Sequence, residues 1–257
     1  EDSGRLAETS RGLVTYLEAD NAQATETGTP QEELDTALEA AGHHVPELES
    51  DADTAAALAR LGKRMSGTAR ALLRPWLERY AEDARALPID VLRPAIDRHG
   101  PDPVALARDL HAEPARIMRR LAAMPEEILP DPVGLAICDG SGVLSYRKPL
   151  PDFPMPRFGA ACPLWPLYKA LNRPHVVLTA PLVQMGRANA VIWADAQATL
   201  TGGLAVNADP LYESHMMVRL APPDRDHAAP EEVGASCRIC SRSACPGRRE
   251  PSILSSR

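Results

Sequence analysis

The stretch Gly134-Leu135-Ala136-Ile137-Cys138-Asp139-Gly140-Ser141-Gly142-Val143-Leu144-Ser145-Tyr146-Arg147 decides the fold class of this chain. An apolar run is followed by four turn-forming residues and then by a second strand-like run, an order that is typical of a β-hairpin. No alternation of β-branched side chains occurs before residue 130. The sequence therefore predicts that β structure begins at this hairpin and that everything upstream of it is helical.

The upstream residues have the spacing and punctuation of helices. Thr29-Pro30-Gln31-Glu32 combines an N-cap residue, a proline at the first helical position and a glutamate that completes a capping box, and Gly42 is placed to end that helix. From the spacing of apolar side chains, further helices are predicted over residues 4–20, 51–63, 67–87 and 89–99. These elements predict a helical domain over residues 1–128.

Residues 103–121 match the pattern of two helices joined by a short turn. Arg116, Arg119 and Arg120 would project from the second helix, where a DNA-reading helix-turn-helix places its contacts. An ordinary helical pair whose arginines form a solvated face explains the same pattern. The sequence leaves both interpretations open.

Downstream of the hairpin, strand-like runs alternate with loops. Residues 164–171 can form a helix, with Pro163 near its start. Three further runs, at residues 175–183, 189–200 and 214–220, have the composition of strands. Together with the hairpin they predict a mainly antiparallel sheet, so that the chain as a whole belongs to the α+β class, with a second domain over residues 129–257.

Length and charge restrict the possible functions. The 257 residues suffice for two domains, no apolar run approaches the roughly 20 residues of a membrane span, and nothing resembles a signal peptide. We therefore expect a cytoplasmic protein that does not contact a membrane. Residues 1–53 hold 14 acidic and 2 basic side chains, a net charge of −12, which repels a nucleic-acid backbone. The sequence does not begin with Met, and we expect further residues upstream.

Three of the five cysteines lie within nine residues: Cys237, Cys240 and Cys245 have the spacing C-x2-C-x4-C. Two cysteines separated by two residues can bring their sulfurs to one metal centre, and neighbouring arginines stabilise thiolates. No histidine follows at the spacing that zinc sites use, which favours an iron–sulfur cluster over zinc. A disulfide with one unpaired thiol and a redox-active cysteine pair are the alternatives that involve no metal.

Two motifs resemble the C-terminal domain of the short-chain fatty acyl transcriptional regulators. One is FGAACPLWPL at residues 158–167, and the other is Cys237-Arg238-x-Cys240-x-Arg242-x-x-Cys245 with Arg249-Glu250-Pro251-Ser252 after it. The hairpin is similar too, so the resemblance covers about residues 130–253. Residues 90–124 resemble the last helices of the metallopeptidase-like segment in the middle of these regulators. The zinc-peptidase signature H-E-x-x-H is absent, and His43-His44 has no glutamate at the required spacing, so protease activity is not expected.

The resemblance implies a regulator of propionate or acetate metabolism with an upstream DNA-reading helix-turn-helix domain, a helical middle and a C-terminal sensor. It implies a short acyl-CoA as effector and a four-iron–four-sulfur cluster on Cys237, Cys240 and Cys245. We also expect a homo-oligomer and no enzymatic activity. Two other functions stay open: an iron–sulfur enzyme whose open iron acts as a Lewis acid, and a zinc-stabilised interaction module.

A coenzyme A ligand requires cations for its phosphates and an apolar or aromatic cleft for its arm. The predicted ligand contacts are Arg147, Lys148, Arg157, Phe158, Trp165 and Tyr168. Each aromatic side chain could instead be part of the core, because the chain has few aromatic residues. Cys162 could be a further cluster ligand, a buried apolar residue or a neighbour of the ligand, whereas Cys138 is predicted to be core.

Because three converging thiolates bind a metal centre as a unit, replacing any one of Cys237, Cys240 or Cys245 with Ser is expected to remove most of the metal. The measurement is iron, sulfide and zinc analysis of anaerobically prepared protein, together with its visible spectrum. A brown protein indicates an iron–sulfur cluster, and a colourless one with stoichiometric zinc indicates the interaction module. Full metal content in Cys240→Ser would contradict the prediction.

Overall fold

A computed structural model of the chain describes residues 29–50, 53–157, 160–186, 190–202, 206–221 and 229–254. The helix predicted at residues 4–20 lies outside them. Within the described part the first half is helical, as predicted. Its elements are α1 (Pro30–Ala40), α2 (Pro46–Glu49), α3 (Thr54–Leu61), a 3-10 turn (Gly62–Arg64), α4 (Gly67–Ala86), α5 (Ile89–His99), α6 (Pro103–Asp109) and α7 (Pro114–Ala122).

The first helix begins and ends where the sequence predicts. Thr29 Oγ1 accepts a hydrogen bond from Glu32 N at 3.2 Å, and the Glu32 carboxylate accepts one from Thr29 N at 2.7 Å, which completes the capping box. After α1, Gly42 adopts a φ of +61°, a conformation that glycine reaches without strain. The short α2 was not predicted, because four residues hold too little of the helical repeat to recognise.

The second half forms one six-stranded sheet with a helix on it. The elements are β1 (Gly134–Asp139), β2 (Leu144–Lys148), α8 (Pro166–Leu171), β3 (Leu178–Gln184), β4 (Ile192–Thr201), β5 (Leu211–Leu220) and β6 (Glu231–Val233). The strand order is β2-β1-β5-β4-β3-β6, and every neighbouring pair is antiparallel except β3 with β6. The α+β class and the hairpin are therefore confirmed. The three-residue β6 was missed because it has no alternating pattern.

The sheet is buried on both faces. Leu135, Ile137 and Met217 on one face join the core of the helical half. On the other face, α8 packs on the sheet, and the small side chains of Ala194 and Ala196 in β4 leave room for it. One core thus crosses the predicted boundary between residues 128 and 129, and the division into two domains stays a prediction.

Charged side chains join the helical half to the sheet. Asp83 of α4 accepts two hydrogen bonds from Arg119 of α7, at 2.6 and 2.8 Å, and its side chain is 4% exposed. Arg119 Nη1 lies 3.1 Å from His215 Nε2 in β5, and Arg79 Nη1 lies 2.6 Å from Glu213 Oε2 in the same strand. Burial, Arg119 and Arg79 together hold the pKa of His215 well below its usual value, so the ring is neutral. No local sequence pattern predicts this network.

The helical pair at residues 103–121 forms as α6 and α7, but Arg119 and Arg120 point into the protein, and Arg116 is half-buried. Arg116 and Arg119 both bind Asp83, and Arg120, which is 1% exposed, binds both carboxylate oxygens of Glu49 at 2.9 and 2.8 Å. Neither a DNA-reading helix nor a helical pair with a solvated arginine face, the two interpretations left open by the sequence, describes these arginines fully. The guanidinium groups are neutralised by carboxylates, so this helix presents neither a DNA-reading face nor a fully solvated one.

None of the helices in the described ranges is long and apolar enough to cross a membrane.

We expect Arg119→Met to lower the free energy of unfolding by about 3–5 kcal/mol, because it leaves the buried Asp83 carboxylate with only Arg116 as a cationic partner. Lys169→Met is the control, since it removes an exposed pair with Glu231 that is worth about 1 kcal/mol or less. Urea unfolding of both variants measures the difference. Equal losses would show that the buried pair contributes no more to stability than the exposed one.

Candidate ligand cavity and metal centre

Three arginines border one cavity beside the hairpin turn. The cavity holds about 420 Å³, within the range of small-molecule sites, and we call it the arginine cavity. It lies between the hairpin, residues 160–163 and the start of α8. The lining side chains that carry its chemistry are Val143, Arg147, Arg157, Pro163, Tyr168 and Arg249. The structure thus brings together Arg147, Arg157 and Tyr168, three of the six predicted ligand contacts.

Arg147 is held firmly at the edge of the sheet. Its Nη1 donates to Asp35 Oδ2 at 2.6 Å and its Nη2 to Leu144 O at 3.3 Å, while its buried Nε has no hydrogen-bond partner. Burial raises the pKa of Asp35, although hydrogen bonding to Gln31 and the Arg147 charge oppose the rise. This pairing holds the guanidinium in a fixed position at the cavity, where Asp35 offsets part of its charge.

Arg157 and Arg249 are held more loosely than Arg147. The Arg157 side chain is 63% exposed, and its Nη2 lies 3.3 and 3.4 Å from the two carboxylate oxygens of Glu39. Arg249 donates from Nη2 to the carbonyl of Ala161 on the cavity wall. An exposed arginine in a long ion pair can turn towards an anionic ligand at little cost. Arg249 lies in a motif of the resemblance, but its place beside Arg147 and Arg157 could not be predicted, because more than 80 residues separate it from both.

Lys148 and Trp165 do not line the arginine cavity. Adjacent side chains of a strand point to opposite faces, so Lys148 points away from Arg147 and donates to Ala122 O at 2.6 Å. Burial lowers the pKa of Lys148 to about 8. Trp165 is fully buried and donates from Nε1 to Gly234 O at 2.8 Å, as the core interpretation holds. Phe158 lies outside the described residues, and the Tyr168 hydroxyl, whose pKa burial raises to about 12, stays neutral.

A second cavity, of about 670 Å³, lies on the helical half between α1 and the 3-10 turn; we call it the helical cavity. Arg60, Lys63 and Arg64 line it, and Arg157 borders both cavities. Glu32 and Glu33 also line it, so its wall carries charges of both signs. The described lining of the arginine cavity, in contrast, includes no carboxylate.

Four cysteines border one small cavity near the end of the chain. Cys237, Cys240 and Cys245 line it, as their spacing predicts, and Cys162 lines it from the segment before α8. We call it the cysteine cavity. All five cysteines are thiols, without a disulfide. Cys138 lies elsewhere, buried in β1, where burial raises its pKa to about 12, and it is core as predicted.

Backbone contacts fix the positions of three of the four thiols. Cys237 begins a 3-10 turn, and Cys240 N donates to Cys237 O at 3.4 Å. Cys162 N donates to Ala235 O at 2.9 Å, and the Cys162 sulfur accepts from Gly234 N at 3.4 Å. A Cβ added at Gly234 would lie 3.0 Å from the Cys240 sulfur, so a glycine is needed for this close approach.

The cysteine cavity has the donor atoms of a metal site but not the geometry of a single-ion site. Its volume is about 10 Å³, room for one water, and no three His, Cys, Asp or Glu side chains of the described ranges lie close enough to hold one metal ion. Zinc requires every ligand sulfur within about 2.3 Å of one atom. In an iron–sulfur cluster each thiolate binds a different iron, so the sulfurs stand farther apart. The donor set, four thiols on one cavity, has the chemistry of a cluster site.

The comparison with protein families decides what the second half of the chain is. Residues 131–256 match the family model described as short-chain fatty acyl coenzyme A regulator, C-terminal. These residues are a C-terminal domain of that regulator family. The match confirms the resemblance read from the hairpin and the two motifs. The similarity of residues 90–124 to a metallopeptidase-like segment stays a prediction.

Relatives of this regulator domain are transcriptional regulators of Mycobacterium tuberculosis. The chain is 24% identical over 206 residues to the HTH-type transcriptional regulator RamB, covering 75% of the chain and 43% of RamB. It is 28% identical over 125 residues to the HTH-type transcriptional regulator PrpR, covering 44% of the chain and 25% of PrpR. The chain therefore spans less than half the length of these relatives.

A solved structure described as a Mycobacterium tuberculosis transcriptional regulator has the same fold. The TM-score is 0.63 at 20% identity, and the match covers 79% of this chain and 66% of the other. The regulator domain, residues 131–256, makes up about half of the chain, whereas the structural match covers 79% of it. The shared fold therefore includes part of the helical half.

In the regulator domain, Gly234→Ala is expected to lower the metal content of anaerobically prepared protein, because the added methyl group displaces the Cys240 sulfur. Gly247→Ala is the matched control: its Cβ would lie 3.1 Å from Leu164 and Pro163 atoms, similar crowding that does not involve a cysteine sulfur. Iron and sulfide analysis measures the effect. The same loss in both variants would show general crowding instead of a requirement at Cys240.

Proposed function

We propose that this chain is the effector-sensing part of a bacterial transcription factor and that it binds a short acyl-CoA in the arginine cavity. The observation that supports this proposal is the convergence of Arg147, Arg157 and Arg249 on one cavity of about 420 Å³ beside Tyr168. Coenzyme A carries several phosphate charges, and guanidinium groups bind phosphate through paired hydrogen bonds. The match to a regulator family described by a fatty acyl coenzyme A points to the same class of ligand.

The three arginines would play different parts. Arg147 supplies a fixed charge, because Asp35 holds it, whereas Arg157 can exchange its long contact with Glu39 for a phosphate. The apolar wall of Val143, Leu144 and Pro163 would receive the acyl end. Burying one methylene is worth about 0.8 kcal/mol, so propionyl-CoA should bind about fourfold tighter than acetyl-CoA if the wall covers the whole acyl group.

We further propose that Cys237, Cys240 and Cys245 hold an iron–sulfur cluster, which supplies redox-sensitive iron when bound. The thiols converge on one cavity, and Arg248 ties two parts of the segment together by donating to Cys237 O at 3.3 Å and to the Arg242 carbonyl. The relatives are described as transcriptional regulators, which favours a sensing role for such a centre over the enzyme alternative.

DNA binding would belong to a helix-turn-helix domain outside these residues, because the arginines of α7 are paired with carboxylates inside the chain. RamB and PrpR are described as HTH-type regulators, which supports this division. The expected site of action is the bacterial cytoplasm, with the regulator as a homo-oligomer. A ligand changes transcription only if it binds one arrangement of the regulator better than another.

Calorimetry of the metal-loaded chain with acetyl-, propionyl- and free coenzyme A tests the proposal. Arg157→Gln is expected to weaken binding about tenfold, because it removes one charge-assisted contact of roughly 1.5 kcal/mol at a partly exposed position. Lys63→Gln is the control, since Lys63 lines only the helical cavity of the two. It should leave the affinity unchanged.

Two results would contradict the proposal. If Lys63→Gln weakens binding as much as Arg157→Gln, the ligand occupies the helical cavity. If none of the three ligands binds below about millimolar, a free energy of roughly −4 kcal/mol, acyl-CoA is not the effector of this chain.

A further inference from the structure

The helical cavity is wide because alanines line one of its walls. Ala37, Ala40 and Ala41 lie three and four residues apart along α1 and its C-terminal end, so they share one face of the helix. Their short side chains leave about 670 Å³ between α1 and the 3-10 turn, within the range of small-molecule sites. Leu61 and Met65, on either side of the 3-10 turn, line the other wall. The cavity therefore has apolar surface on two sides.

The two carboxylates of the helical cavity are occupied by backbone amides. Glu32 Oε2 accepts a hydrogen bond from Thr29 N at 2.7 Å, and Glu33 Oε2 accepts one from Ser66 N at 2.6 Å. Thr29 is the N-cap of α1 and Ser66 is the N-cap of α4. Both carboxylates thus lie at helix starts, whose partial positive charge offsets their own. Their repulsion of an anion in the cavity is thereby reduced.

The cations on the 3-10 turn, in contrast, have no partner. Arg60, which precedes the turn, binds both carboxylate oxygens of Glu47, at 2.5 and 3.0 Å. Lys63 and Arg64 are exposed, and within the described ranges neither side chain has a hydrogen-bond or ion-pair partner. The charge that is left without a partner at this cavity is therefore positive.

We propose that the helical cavity is a second ligand site, which binds a carboxylate that carries a hydrocarbon chain. Lys63 and Arg64 bind the carboxylate, and the apolar walls cover the chain. The buried Met65 has a flexible side chain that adapts to chains of different length. The inference does not depend on the proposed function, because Lys63 and Arg64 line only the helical cavity of the two.

Other anions fit this cavity less well. An inorganic anion would leave both apolar walls uncovered. A nucleotide would find no aromatic side chain to stack on among the lining residues that the structure describes. The combination of two unpaired cations with two apolar walls is matched by an amphiphilic anion, of which a fatty carboxylate is the simplest.

Calorimetry with butyrate, octanoate and 1-octanol tests the ligand class. Burying one methylene completely is worth about fourfold in affinity, and we expect about twofold for each, because Ala40 is exposed and its wall is partly open to water. Octanoate has four more methylenes than butyrate and should therefore bind at least about fifteenfold tighter. 1-Octanol has the chain without the charge and should bind more weakly than octanoate. No binding of octanoate, or equal binding of octanoate and butyrate, would overturn the proposal.

Ala37→Leu tests whether the chain lies against α1. The larger side chain fills the space beside the helix, and leucine is nearly as good a helix former as alanine. Octanoate should therefore lose most of its advantage over butyrate, while near-ultraviolet circular dichroism shows a folded protein. Ala71→Leu is the matched control, since Ala71 is an exposed alanine of α4 that does not line the cavity. An unaltered advantage of octanoate in folded Ala37→Leu would place the chain elsewhere and contradict the site.

Arg64→Gln tests the carboxylate contact and, as an exposed substitution, leaves the fold intact. It should weaken octanoate binding about threefold, the worth of an exposed ion pair, without changing the ratio between octanoate and butyrate. Arg74→Gln is the control, because Arg74 is an exposed arginine of α4 outside the cavity. Equal losses in the two variants would show a general attraction to exposed arginines, and the assigned contact would be wrong.

Discussion

The buried ion pair between Asp83 and Arg119 is the contact on which the arrangement of this protein depends. It joins two helices, and Arg119 reaches His215 in β5, a central strand of the sheet. A carboxylate that is 4% exposed cannot stay charged without a partner, so the helices and the strand must meet in one way. Arg79 and Glu213 repeat the connection at the same strand. A face of the sheet is thereby fixed against the helical half.

Because the helical half covers that face, the arginine cavity and the cysteine cavity lie at the opposite face and at the edge of the sheet. There α8 and the segment before it pack around Trp165, and loops, which need no regular hydrogen-bond ladder, carry the arginines and the cysteines. Both cavities are built on this one anchored segment.

Several side chains lie apart from the groups with which the sequence associates them, for one physical reason. Lys148 follows Arg147 in the sequence, yet it does not line the arginine cavity, because neighbours in a strand face opposite sides. Trp165, a candidate for the cleft or for the core, lies in the core. The arginines of α7 were read as a surface, yet carboxylates more than 30 residues upstream neutralise them. In each case a contact between distant residues decided where a side chain points, and no local pattern contains that information.

Local chemistry was enough to establish several features of this protein from sequence alone. The helical first half, the capping box at Thr29, the hairpin and the cysteine spacing each arise within a few residues, where turn geometry and side-chain period dictate the result. Only the tertiary structure brought Arg249 to Arg147 and Cys162 to Cys237, because those pairs lie about 75 to 100 residues apart. These residues come close together only when the strands of the sheet pair in the observed order. Packing and buried ion pairs between distant parts of the chain determine that order.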